Sequence, residues 1–310
     1  EIAQCLVGSE MCIRDRFMTA PFTADDKTAG AGTAENAAKS GVAAILAKDS
    51  DEAIAKAKQL LSVLPANNLE TAGNDYYMEN DAAVSADLKG IELISSVADK
   101  ESVIELYKQF GTSAVTAIGS LNWRTAGFVA TNNGAKLTAD DSAKIARFVT
   151  LCDAYSIPVV TFVDSEGFEK SSAAELAGSI RDSAKLAQAY ASATTAKIAV
   201  VTGKAYGSAY VALASTAAGS DFTFAWEGAV IAPTTPEAAV VFLNGVSEDN
   251  AKQAQEYADN EADAFTAAAN GYVDRVITAE DTKSALTSAI EATSSKRVVT
   301  PAKKHVNFVY

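Results

Sequence analysis

The run KIAVVTGKAYGSAYVALAS, residues 197–215, decides the fold of this chain. Its first part is apolar without alternation, which is typical of a strand buried on both faces of a parallel sheet. We predict a strand over Ile198–Thr202, and Gly207 begins the helix that follows. A second run, IPVVTFVDSEGF, predicts another buried strand over Ile157–Val163 that ends before Gly167. Ligands bind at the carboxyl ends of parallel strands, so we expect Gly167 and Gly207 at one end of the sheet.

The segments around these strands alternate between helical and strand patterns. The stretch SAVTAIGSLNWRTAGFVATN contains two short strand patterns separated by a Gly-Ser or Asn-Trp turn. Four helices are predicted from apolar periodicity and composition, over residues 87–110, 140–156, 173–193 and 207–218. Strands that alternate with helices and are apolar on both faces predict an α/β layer fold.

Composition limits the classes of function. The net charge of -13 means that the surface as a whole repels nucleic acid and anionic lipid. Three cysteines, Cys5, Cys12 and Cys152, provide no disulfide framework and suit a reducing cytoplasm. The single histidine, His305, lies near the C-terminus, which excludes a mechanism that needs a histidine base in mid-chain.

The chain divides at a polar segment. Residues 51–64 predict an amphipathic helix that ends before Pro65, and ANNLETAGNDYYMEND follows with few apolar residues. We therefore predict that residues 17–68 are the end of a first domain, that 69–81 are a linker and that 82–310 are a second domain. No apolar run is long enough to span a membrane, and charged residues near the start argue against a signal peptide.

The Gly207 turn has two interpretations. Glycine lets a ligand approach the backbone closely, and the first N–H groups of the following helix have no intrahelical acceptor. Those amides can stabilise a developing oxyanion. The other interpretation is an ordinary strand-to-helix turn in which Ser208 caps the helix.

Several runs in the same order carry a family resemblance. LCDAYSIPVVTFVDSEGF, KIAVVTGKAYGSAYVALAS, SDFTFAWEGAVIA, NGYVDRVI and KRVVTPAKKH resemble the C-terminal half of carboxyltransferase subunits of biotin-dependent acyl-CoA carboxylases and decarboxylases. The similarity is to the methylmalonyl-CoA decarboxylase alpha and propionyl-CoA carboxylase beta type. Residues 17–49 resemble the end of the N-terminal half of these subunits.

The resemblance implies a crotonase/ClpP-like spiral of β-β-α units, with a site between halves of two subunits. The N-terminal half of such subunits binds the acyl-CoA substrate, and the C-terminal half binds biotin on a separate carrier protein. By match of motif, the backbone amides of Gly207, Ser208 and Ala209 form an oxyanion hole. Four further residues line the biotin pocket by the same match: Gly167, Phe168, Lys204 and Tyr206. No metal is implied.

The resemblance also implies partners: a biotin carrier protein, a second carboxyltransferase subunit, and either a membrane decarboxylase subunit or a biotin carboxylase. No nucleic acid is expected. Members of the family commonly read KAYGGAY and TPGF where this chain has KAYGSAY and SEGF, so Glu166 adds a charge near the pocket. Tyr210 and Trp226 are interpreted as core or wall residues rather than catalytic ones.

The stretch LVGSEMCIRDR, residues 6–16, resembles nothing in the rest of the chain. It equals the translation of a transposase adapter used in sequencing libraries. We therefore interpret residues 1–16 as a non-native, adapter-derived segment joined to a truncated carboxyltransferase, and we expect the chain alone not to transfer carboxyl groups.

Two other functional classes stay open at the level of sequence. One is a standalone crotonase-type acyl-CoA hydratase or isomerase. The lack of paired glutamates near either glycine turn argues against this class. The other is a non-catalytic scaffold subunit that only positions a biotin carrier.

Overall fold

The structure is a computed structural model that describes residues 33–67, 70, 78–132 and 136–299. The predicted adapter-derived segment, 1–16, lies outside the described residues, as does most of the predicted linker, 69–81. The division into two domains therefore stays a prediction.

One mixed sheet of eight strands organises the described part of the chain. The strands run in the order β1-β2-β3-β4-β5-β6-β8, and β7 pairs with the far end of β5. Pairing is antiparallel from β1 to β3 and parallel from β3 onward. The strand bounds are Ile104–Leu106, Val115–Leu121, Arg124–Ala130, Val159–Ser165, Lys197–Tyr206, Phe222–Trp226, Val230–Ala232 and Arg275–Ile277.

Helices connect and cover the parallel strands. In chain order, α1 to α11 of the described residues span Ala34–Lys39, Ser50–Val63, Gly90–Val97, Ala139–Ala154, Ser172–Leu176, Ser179–Ser192, Gly207–Leu213, Pro236–Asn244, Asn250–Asn260, Ala264–Ala269 and Thr282–Thr293. A 3-10 turn over Thr216–Ala218 follows α7. The predicted α/β layer fold is confirmed.

The sheet has an apolar core on each face. Within β4, Val159 and Val163 belong to one core, whereas Val160 and Phe162 belong to the other. All four side chains are fully buried. The apolar run in the sequence therefore reflects burial on both faces, as the prediction for this strand required.

The β2–β3 hairpin turns at Asn122 and Trp123. Both residues have positive φ, 48° and 71°, which matches the right-handed twist of the paired strands. The Asp99 carboxylate accepts both backbone N–H groups, at 3.1 Å from Asn122 and 3.3 Å from Trp123. The Asn-Trp turn, one of the two predicted alternatives, is confirmed.

The segment before the predicted linker packs on the main sheet. Val63, at the end of α2, lies in the same core as β4, and its carbonyl accepts the Thr125 hydroxyl at 2.9 Å. The Arg147 guanidinium on α4 also donates to the Gly41 carbonyl at 2.8 Å. These contacts fix residues 33–67 against the sheet.

The predicted helix over residues 87–110 is wrong in its second half. The helix α3 ends at Val97, and Ile104–Leu106 instead forms the edge strand β1, paired with β2. Positive φ at Glu101, 59°, is incompatible with a continuous helix. The β-branched pair Val103 and Ile104 then favours a strand.

Two other helix predictions were too long. The predicted helix over 173–193 is broken into α5 and α6 at Gly178, which has φ of 95°. The predicted helix over 207–218 ends at Leu213, and the Ser215 hydroxyl accepts the Ala218 N–H to form the 3-10 turn. Propensity alone indicated helix in both places, and local turn chemistry overrode it.

Two buried charged residues, Asp141 and Lys144, stabilise the start of α4. Asp141 is fully buried, and its carboxylate accepts the backbone N–H groups of Ala114 at 3.0 Å and Thr138 at 2.8 Å. One turn later, the Lys144 ammonium is 2% exposed and donates to the carbonyls of Gly111 at 3.2 Å and Ala114 at 2.7 Å. Burial lowers the pKa of Lys144 to about 8, although the charge of Asp141 opposes the change.

Stability is expected to rise with pH as Lys144 loses its proton in the folded state. The ordinary lysine pKa is 10.5, so between pH 8 and 10.5 the unfolded chain holds a proton that the folded chain lacks. The free energy of unfolding should gain about 3 kcal/mol from this group across the window. Urea unfolding should show that Lys144→Met lacks this rise, and equal pH slopes in both proteins would contradict the assignment.

No helix in the described part of the chain combines the length and the apolar character needed to cross a membrane.

Candidate functional site

Two glycine turns meet at the carboxyl ends of β4 and β5. The strands are parallel neighbours from Val159 paired with Lys197 to Ser165 paired with Ala205. A Cβ atom built on Gly167 would lie 3.8 Å from the Tyr206 carbonyl oxygen, next to Gly207. The predicted placement of both glycines at one end of the sheet is confirmed.

The Gly207 turn requires glycine on two grounds. Its φ of +56° lies in the left-handed region, and a Cβ there would be 3.0 Å from the Pro233 carbonyl oxygen. Tyr206, at the N-cap position of α7, makes no side-chain capping bond. The Ser208 and Ala209 amides therefore have no side-chain acceptor at the cap, whereas the Gly207 N–H is used in the pairing of β5 with β7.

The proposed oxyanion residues differ in exposure. Ser208 is exposed at the start of α7, Gly207 is partly exposed, and Ala209 is fully buried. The turn is therefore open to solvent at Gly207 and Ser208 and closed at Ala209. Ser208 lies inside α7 rather than at its N-cap, so the capping interpretation of this serine is wrong.

The Gly167 turn is fixed by its own hydrogen bonds. The buried Ser165 hydroxyl donates to the Gly167 carbonyl at 3.1 Å and accepts the Gly167 N–H at 3.2 Å. The same carbonyl accepts the Leu137 N–H at 3.0 Å, and Leu137 and Phe168 form a bridge. The Gly167 amide is thus already paired and Gly167 is buried, so this turn offers a ligand the partly exposed Phe168 rather than an N–H donor.

Lys204 and Glu166 form an ion pair across the two strand ends. Lys204 Nζ lies 2.8 Å from Glu166 Oε1, and the side chains are 52% and 31% exposed. The hydrogen bond to Lys204 lowers the pKa of Glu166, and the same bond raises the pKa of Lys204. The sequence placed both residues near the pocket but did not reveal that they are partners.

Asp164 is a site residue that sequence analysis did not single out. Its Oδ1 accepts the Lys204 backbone N–H at 2.8 Å. A Cβ atom on Gly203 would lie 2.6 Å from the same oxygen, so glycine at 203 makes room for the carboxylate. The signal in the sequence was Gly203, which lies in β5 opposite the last part of β4, where Asp164 is located.

Tyr206 is almost fully buried, so little of its side chain can line a pocket. It is 7% exposed and packs in a small apolar cluster with Ala232 and Ala262. Burial raises the pKa of its hydroxyl. Any contact between Tyr206 and a ligand is therefore limited to the small exposed part of the residue.

Tyr210 and Trp226 are wall and core residues. The Tyr210 hydroxyl donates to the Tyr272 carbonyl at 2.8 Å, and burial raises its pKa to about 12. The Trp226 indole N–H donates to the Thr282 hydroxyl at 2.9 Å inside the core. The interpretation of both as structural residues agrees with these contacts.

The fold is crotonase-like and is built on one mixed sheet of eight strands in the described part of the chain. The sequence profile of the carboxyl transferase domain matches residues 18–308. This chain belongs to the carboxyl transferase domain family, which is a family of enzymes.

Curated relatives give the same family. The chain is 35% identical to the methylmalonyl-CoA carboxyltransferase 12S subunit of Propionibacterium freudenreichii subsp. shermanii, over 94% of this chain and 61% of that protein. It is 33% identical to the methylmalonyl-CoA decarboxylase subunit alpha of Veillonella parvula, over 96% of this chain and 62% of that protein. The chain thus spans about three fifths of the length of these relatives.

A solved structure shares the fold over almost the whole chain. The transcarboxylase 12S crystal structure, a hexamer with methylmalonyl-CoA and methylmalonic acid bound, superposes with a TM-score of 0.84 at 34% identity. The similarity covers 95% of this chain and 61% of that one.

Proposed function

We propose that this chain is part of a carboxyltransferase that moves a carboxyl group between an acyl-CoA and biotin held on a carrier protein. Family membership supports the reaction class. The observation that carries the assignment of the site is the adjacency of the Gly167 and Gly207 turns at the ends of β4 and β5.

The chemistry requires hydrogen-bond donors rather than a side-chain nucleophile. As the ureido nitrogen of biotin becomes nucleophilic, its ureido oxygen gains negative charge. Amides fixed toward that oxygen stabilise the transition state more than the ground state. The Gly207 turn suits the ureido oxygen because Gly207 has no side chain to block the approach of biotin. In addition, no side chain caps the helix that follows.

The residues around the turn take different roles in this proposal. Ser208 and Ala209 supply the amides, and Gly207, which has no side chain, gives access to them. Gly167 and Phe168 form one wall of the biotin pocket. Lys204 lies at the mouth, and Tyr206 contributes its small exposed part to the opposite wall.

The partners follow from the relatives. We propose a biotin carrier protein and a second copy of the carboxyltransferase chain, because the structurally similar transcarboxylase 12S assembles as a hexamer in a multienzyme core. We propose that the further subunit is either a membrane decarboxylase subunit or a biotin carboxylase, because the relatives include a methylmalonyl-CoA decarboxylase subunit and a propionyl-CoA carboxylase chain. A cytoplasmic location suits these partners.

We expect the 310-residue chain to bind biotin methyl ester without transferring carboxyl groups. Extension of its N-terminus to the length of the relatives should add transfer to or from an acyl-CoA. The measurement is exchange of labelled carboxyl between acyl-CoA and free biotin. Turnover by the unextended chain would contradict the proposal that the acyl-CoA and biotin sites lie in different halves of the protein. Ester binding without turnover by the extended chain would favour the scaffold alternative.

A further inference from the structure

The Glu166–Lys204 ion pair joins the ends of β4 and β5, where the two glycine turns lie. Glu166 directly precedes Gly167, and Lys204 lies in the last part of β5, before Gly207. Their charged atoms are 2.8 Å apart. The pair therefore lies next to Gly167 in sequence and three residues before Gly207 along β5.

Another anion can replace Glu166 in this ion pair, whereas the neighbouring Asp164 is held by the backbone. Both partners are partly exposed, and such ion pairs contribute little to stability because water competes for each charge. Asp164, by contrast, accepts the Lys204 backbone N–H and occupies the space that Gly203 leaves. An incoming anion can thus replace Glu166 on the Lys204 ammonium without disturbing the backbone.

Few other charges act on this pair. Lys136 helps to lower the pKa of Glu166, and Asp164 helps to raise the pKa of Lys204. An anion at this ion pair therefore meets the carboxylates of Glu166 and Asp164 and the ammonium groups of Lys204 and Lys136. While Lys204 is paired with Glu166, it is only partly available to that anion.

We infer that Glu166 is a specificity-determining residue that competes with the carboxylate of N-carboxybiotin for Lys204. This inference rests on the proposed biotin site. Uncarboxylated biotin has no charge on its ureido ring and does not enter this competition. Glu166 therefore weakens the binding of the carboxylated form more than the binding of the uncarboxylated form.

The test compares two ligands that differ only in the carboxylate. Biotin methyl ester and its N-carboxylated form are titrated by NMR into the 310-residue chain, in cold alkaline buffer and without acyl-CoA. We expect Glu166→Gln to bind the carboxylated ester about fivefold tighter, with the uncharged ester unchanged. The gain should shrink as salt is added, because both charges are partly exposed.

Two further variants separate the charge competition from a structural effect. Glu169→Gln removes an exposed carboxylate from the same loop and should leave both affinities unchanged. Lys204→Gln should weaken the carboxylated ester alone. In the Lys204→Gln background, Glu166→Gln should lose most of its effect, because the two residues act as a pair.

The outcomes distinguish the inference from the function on which it rests. If Glu166→Gln shifts both esters equally, or shifts neither, the competition is overturned and the biotin site stands. If the unsubstituted chain binds neither ester, the biotin site fails and the inference fails with it. An equal effect of Glu169→Gln would show general surface charge and also overturn the role of Glu166.

Discussion

Gly207→Val is expected to lower carboxyl transfer by about 100- to 1000-fold in the chain extended to the length of its relatives. The substitution places a branched side chain where Gly207 has φ of +56° and where a Cβ would be 3.0 Å from the Pro233 oxygen. The turn must shift, and its amides then lose their alignment with the ureido oxygen. Steady-state exchange of labelled carboxyl between acyl-CoA and biotin measures the loss.

The matched control for this variant is Gly228→Val. Gly228 lies in the turn between β6 and β7, and a Cβ there meets nothing within 4 Å. Transfer should be nearly unchanged in the control, and acyl-CoA binding should be unchanged in both variants. If the Gly207→Val enzyme keeps full biotin-dependent activity, the amide mechanism must be abandoned.

Asp141→Ala is expected to reduce the free energy of unfolding by about 3–5 kcal/mol. The change leaves the buried N–H group of Ala114 and the partly buried N–H group of Thr138 without their acceptor. It also removes the negative charge nearest the buried Lys144 and breaks the capping box at the start of α4. Urea unfolding at neutral pH, followed by far-UV circular dichroism, measures the difference.

Asp140 offers a control with the same side chain one residue away. It is exposed in the first turn of α4, so Asp140→Ala should change stability by less than about 1 kcal/mol. Equal effects of the two substitutions would show that the helix terminus tolerates loss of either carboxylate. The buried network around Asp141 would then not be the source of stability.

The two glycine turns could be located from the sequence because burial of a strand on two faces produces an uninterrupted apolar run. Uninterrupted apolar runs identified β4 and β5, and the glycines that follow them marked the turns. Parallel pairing then placed Gly167 and Gly207 together, since neighbouring parallel strands end on the same side. The family resemblance supplied the chemistry, which the residue pattern alone left open.

The sequence could not reveal which side chains meet at the mouth of the site. The register between β4 and β5 shifts between Val163 and Ser165, and this irregularity determines where Glu166 lies relative to Lys204. Strand periodicity does not predict such a shift. The exposures of Ala209 and Tyr206 were missed for a related reason, because they depend on what the chain packs against them.

The hydrogen bonds that hold the Gly167 turn limit the local motion of this turn. Ser165 and Leu137 fasten this turn to the end of β4, whose side chains fill both cores. Local opening is rare where backbone and core are joined in this way. Amide hydrogen exchange at Gly167 should therefore proceed at the slow rate of the central strands, so that the turn is lost only when the sheet itself unfolds.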